Sequence, residues 1–179
     1  MKLLAGLVAL FAITGAGTAT MGAAAGQPGG TLTESPAAAW ESGVTLAGAD
    51  VDTQLPSGYR NPRSAQQAVA WALGQVGVYR DAGYCLRFVD LAYGRSSGPA
   101  SAYLVWTRSP SALHRTSGMP PRGAIVVWSS AIGGGHGHIA ISLGDGRMVS
   151  TTSGAVSILP IRGFSDSAYY GWMPPYFYM

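Results

Sequence analysis

Pro120-Pro121 splits the chain into two stretches of different hydrophobic period, and that break limits the fold class. Ahead of it, Ala65, Ala68, Val69, Ala72 and Val76 recur at helical spacing. Ser64 stands where a helix cap belongs, with Gln67 placed to close a capping box, so an amphipathic helix is expected to end near Gly77. Cys85 to Tyr93 predicts a second helix stopped by Gly94, and Pro99 to Arg108 a third with proline in its first turn. After the prolines come β-prone runs at Ala124 to Trp128, His138 to Leu143, Arg147 to Thr152 and Ala155 to Ile158. Gly144-Asp145-Gly146 joins two of them as a tight hairpin, and the aromatic C-terminal stretch supplies a last strand and a lid on the core. Helices followed by antiparallel strands define an α+β domain.

The first 25 residues have the order of a secretory signal peptide: a cation at Lys2, an apolar run from Leu3 to Ile13, then small residues ending at Ala25. That run is shorter than the ~20 residues that span a bilayer, so the expectation is a secreted or cell-wall protein with no membrane association after cleavage. Residues 26–61, rich in Gly, Ala, Pro, Ser and Thr, are expected to form a flexible linker in which Asp50 and Asp52 lie in a solvated turn. One domain is then expected over residues 62–179. From Arg60 to the last residue, ten arginines and four aspartates give +6, which favours an anionic partner such as a charged wall polymer. No clustered Lys/Arg run or basic-aromatic interleaving points to nucleic acid.

The only cysteine, Cys85, lies where the second helix should begin, after a turn at Asp81-Ala82-Gly83. An unpaired thiol in an oxidising compartment is a liability unless it is used or buried. At a helix N-terminus it gains two things: a positive dipole end that favours the thiolate, and free backbone N–H groups that can hold an oxyanion. The base would be a histidine, of which there are three. His138 opens a strand whose same-face neighbours Ala140 and Ser142 are small, which lets the cysteine helix approach. His136 lies in the flexible GGGHGH approach and His114 in a polar region between elements, so both are weaker choices. A buried Cys acting as a small hydrophobe and a merely hydrogen-bonded strand His form the bland alternative. A zinc site would need three or four ligands together, and His136 with His138 supplies two, so neither metal nor cofactor is expected.

Taken in order, AVAWALGQVGVYRDAGYCLRFV, PPRGAIVVW and GHGHIAISLGDGRMVST resemble the motifs of NlpC-type cysteine peptidases and the related CHAP amidases. The resemblance covers about Ser64 to Trp172. It implies a papain-like fold, cleavage of amide bonds in peptidoglycan peptides, Cys85 as nucleophile and His138 as general base. Tyr79 would stand near the active site, and Tyr79 and Tyr84 are the expected substrate contacts. Where the common peptidase form has Asp and Ser flanking the nucleophile, this chain has Tyr84 and Leu86, which leaves the amidase branch open. The family usually places a His, Asn, Gln or acid on the strand after the hairpin; RMVSTTSG offers only hydroxyls. A three-residue hairpin loop puts Ser150 diagonal to His138, and a two-residue Asp-Gly loop would put Thr151 there instead; Ser150 is the choice. The expectation is a secreted, monomeric cysteine hydrolase acting on peptidoglycan. A non-catalytic wall-binding module with a vestigial cleft, and a secreted acyltransferase or toxin using the same nucleophile, are the alternatives.

Overall fold

The computed structural model describes residues 51–96 and 98–178. The expected signal peptide and most of the expected linker lie outside them. Three helices, α1 (Ala65–Leu73), α2 (Cys85–Ala92) and α3 (Ala102–Thr107), precede five strands: β1 (Ile125–Trp128), β2 (His138–Ser142), β3 (Arg147–Ser150), β4 (Ser157–Pro160) and β5 (Tyr169–Met173). The strands form one antiparallel sheet in the order β4-β3-β2-β1-β5. The α+β class read from the change of period is the architecture observed.

Local chemistry accounts for most of the boundaries. Ser64 and Gln67 make the full capping box: Ser64 Oγ accepts from the Gln67 N–H and Gln67 Oε1 from the Ser64 N–H. α1 stops at Leu73, short of Gly77, because the chain turns there to pair with a distant segment. The Gly77 N–H donates to the Val156 carbonyl, the Val156 N–H donates back to Val78, and Val76 faces solvent. α3 is likewise shorter than expected, starting at Ala102. β4 begins two residues later than expected, at Ser157, because residues 151–156 tie down the loop ahead of α2.

The linker expectation requires correction at its end. Val51 is fully buried, and the Asp52 carboxylate accepts the Ala65 N–H at 2.7 Å, the first N–H of α1. The Tyr59 hydroxyl and the Asn61 amide bond the backbone of Phe177 and Pro175 near the C-terminus. Residues 51–61 are therefore part of the packed domain, anchored by contacts with remote partners that composition does not reveal.

β1 and β2 are buried along their whole length, and α2 and α3 pack on β2. Phe88, Val89 and Ala92 supply the inner face of α2. The Pro121-Arg122-Gly123 turn has a steric role. Gly123 has φ +78°, and a Cβ there would come within 2.5 Å of the Ala65 Cβ at the start of α1. The buried Tyr93 hydroxyl donates to the Gly123 carbonyl. β1 is thereby held against the helical layer that carries the thiol.

Candidate active site

Cys85 is the first residue of α2, and no side chain caps that end. A turn closed by the Tyr84 N–H on the Asp81 carbonyl (2.8 Å) feeds the helix, with Asp81 at φ +48°. Asp81 also pairs with Arg80 at 2.8 Å and Arg87 at 3.3 Å. The Thr151 hydroxyl donates to the Arg80 carbonyl (3.0 Å) and the Gly83 N–H to the Thr152 carbonyl (2.7 Å), so the turn before Cys85 is fastened to the end of β3. The backbone of Ile139, Leu86 and Cys85 itself acts on the thiol electrostatically, favouring its ionised form. Ile139 follows His138 in β2, so the sulfur lies against the start of that strand.

His138 is 7% exposed and pairs across β1 from Trp128. Phe164 and Trp128 flank its ring, with centroids at 4.8 and 5.5 Å. Its Nε2 is 2.8 Å from Ser150 Oγ. The strand register explains that contact: Ile141 pairs with Val149 and the Leu143 N–H donates to the Arg147 carbonyl, so Gly144-Asp145-Gly146 is the whole hairpin loop. Ser150 is accordingly diagonal to His138, while the Thr151 hydroxyl is spent on the turn before Cys85. Ser150 Oγ also lies 3.4 Å from the Ile139 carbonyl and 3.5 Å from its neighbour's. It can donate to a carbonyl while accepting from Nε2–H, the arrangement that leaves Nδ1 as a free base.

Cys85 and His138 line one cavity of about 1060 Å³ together with Tyr84, Asp90, Phe164 and His136. Tyr84 is 68% exposed and borders that cavity. Tyr79 is 71% exposed and does not line it: the structure does not bring this tyrosine to the thiol. His114 is elsewhere, stacked on Trp106 at 3.9 Å and bonded to Ser109 Oγ at 2.8 Å. Asp90, Arg95 and Phe164 are cavity residues that motif reading passes over. Asp90 looks like an ordinary helix-surface acid, and Phe164 lies in a loop without a motif.

Electrostatically the pair is neutral at rest. Burial pushes the Cys85 thiol up from its ordinary value, and the backbone of Ile139, Leu86 and Cys85 only partly opposes it. Burial also drives His138 down to about 4, with no charged partner to offset it. At pH 7 the cavity therefore presents a protonated thiol and an uncharged imidazole, an arrangement that suits general-base activation of a thiol better than a preformed ion pair.

The fold and site together define an α+β domain in which a thiol and an imidazole line one open cavity, with a buried hydroxyl bonded to the imidazole. Solved structures similar to this chain include the P60 domain of a Mycobacterium avium subspecies paratuberculosis antigen, at 15% identity over 62% of this chain and 92% of that one, with a TM-score of 0.47. An NlpC/P60 family protein from Bacillus cereus matches at 21% identity over 63% of this chain and 40% of its own length, with a TM-score of 0.45. The peptidoglycan hydrolase RipB from Mycobacterium tuberculosis matches at 19% identity over 80% of this chain and 79% of that one, also at 0.45. No protein-family model matches the sequence, and no curated protein matches it.

Proposed function

We propose that this protein is an exported cysteine hydrolase that cleaves amide bonds in cell-wall peptidoglycan peptides. One observation carries the reading: a thiol at an uncapped helix N-terminus shares an open cavity with an imidazole whose far nitrogen is fixed by Ser150. The ordered sequence motifs around Cys85 and His138 support the substrate class.

In the proposed reaction His138 Nδ1 takes the Cys85 proton as the sulfur attacks the amide carbonyl. The N–H groups of Cys85 and Leu86, at the start of a helix that no side chain caps, would receive the oxyanion. The imidazolium gives its proton to the departing amine as the C–N bond breaks, leaving a thioester on Cys85. His138 then deprotonates water, which displaces the sulfur and releases the acid. Ser150 holds the tautomer but brings no negative charge to the imidazolium, so it supports the step less than a carboxylate would. That missing charge is also what favours the second reading, a wall-binding module that does not hydrolyse.

Purified peptidoglycan incubated with the wild-type protein should release fragments bearing new amine and carboxyl termini, read by mass spectrometry, and Cys85→Ala should release none. Equal release by the two proteins contradicts the hydrolase. Equal binding to the wall with no release by either supports the binding module.

A further inference from the structure

Among the described residues, Asp90 is the only carboxylate lining the cavity, and it is incompletely partnered. The residue is 8% exposed, and its Oδ1 is buried without a hydrogen bond. The facing Arg95 Nε is buried and unbonded too, and the two atoms are 3.9 Å apart, an ion pair too long to be a hydrogen bond. Such groups are rare in folded proteins, because each gives up its hydration without compensation. The guanidinium cannot simply swing onto the carboxylate. Its Nη1 is held by the Tyr59 hydroxyl at 3.3 Å and Asn61 Oδ1 at 3.5 Å, and it lies over the Phe177 ring at 5.1 Å.

A second observation comes from Gly98, which also lines the cavity. A Cβ there would lie 2.8 Å from Asp90 Oδ2 and 3.0 Å from Oδ1. The φ of Gly98 is outside the left-handed range, so the backbone does not require glycine at this position. What the absent side chain does is keep a carbon atom off the cavity side of a carboxylate that is otherwise buried.

Asp90 and Arg95 offset each other in charge, so the complementary group is a neutral one presenting a donor beside an acceptor, which is an amide. Five residues separate Asp90 from Cys85 along α2, a rise of about 7.5 Å. That is roughly two residues of extended peptide. We propose that Asp90, backed by Arg95 and left open by Gly98, is a specificity subsite that binds an amide of the substrate about two residues from the bond attacked by Cys85. The proposal rests on the hydrolase reading for the location of that bond. The amide is either a backbone amide or a side-chain carboxamide.

The test is a binding measurement that needs no turnover. Full-chain Cys85→Ala protein is titrated calorimetrically with N-acetyl-tetrapeptide amides, with the depsipeptide carrying one ester in place of the second amide, and with a Gln/Glu pair at the second residue. The amide peptides should bind about tenfold more tightly than the analogue lacking the recognised amide. Loss with the ester identifies the backbone amide; loss on going from Gln to Glu identifies the carboxamide. Adding Gly98→Ala, which blocks the carboxylate without changing charge, should remove the discrimination, and Asp90→Asn should weaken it. The Gly98 variant keeps the test valid if loss of the Asp90 charge disturbs folding. Equal affinity for all the peptides, no binding at all, or discrimination that survives Gly98→Ala overturns the subsite. Amide-selective binding by a protein that cleaves nothing would retain the subsite and remove the hydrolase; cleavage without amide selectivity would do the reverse.

Discussion

His138→Gln is expected to lower amide hydrolysis by about 10²- to 10⁴-fold, the range associated with loss of a general base. Glutamine can still bond Ser150 and fill much of the space between Trp128 and Phe164, but it cannot accept a proton from the thiol. Ser150→Ala should cost less, about tenfold, because the imidazole stays in place between its aromatic neighbours and loses only the group that fixes its tautomer. The order of the two losses is the informative part. Rates on a synthetic wall peptide, with thermal melts to verify folding, would supply it. A Ser150 loss equal to the His138 loss would mean that the hydroxyl does more than orient the ring. An unaffected His138→Gln variant would place the base elsewhere, with His136 the remaining imidazole in the cavity.

The second large effect concerns pH. Burial raises the thiol's pKa above its ordinary value, so at pH 7 the protonated thiol should dominate. Alkylation of Cys85 by iodoacetamide should rise with pH to beyond 9 and show no plateau in the neutral range. The sign for His138 runs the opposite way from an ion-paired imidazole. With its pKa lowered to about 4, the ring is already the neutral base at pH 7, and on acidification kcat should fall near pH 4 and not near the ordinary 6.5. Stability follows the same group. The unfolded chain binds a proton to this histidine below 6.5 and the folded chain only near 4, so its contribution is complete above 6.5 and is lost as pH falls from 6.5 to 4. Asp90, raised to about 6 by burial with Arg95 opposing, acts in the contrary direction between 3.8 and 6. An alkylation plateau between about pH 4 and 9 would instead reveal a thiolate-imidazolium pair.

What the sequence makes legible is local. The Ser64 and Gln67 capping box, the turn before Cys85 and the three-residue hairpin that sets Ser150 beside His138 all depend on residues close in the chain. Backbone geometry carries such signals forward without knowledge of the rest of the fold. Less legible are features made by remote partners. Residues 51–61 resemble a linker in composition and are held by the C-terminal backbone and the start of α1. Tyr79 has the expected spacing from Cys85, yet the loop from Gly74 to Tyr84 is stitched to residues 151–156 and leaves that ring in solvent. The Asp90 and Arg95 pairing depends on how Tyr59, Asn61 and Phe177 meet the guanidinium, and no spacing rule reports that.

The most direct measurement is intact-protein mass spectrometry of the wild-type chain quenched in acid during turnover of a wall peptide, followed by mapping of the adduct. An acyl group on the peptide containing Cys85, absent from Cys85→Ala and depleted in His138→Gln, is the predicted result. Steady release of fragments with no adduct on Cys85, and undiminished release by Cys85→Ala, would contradict it.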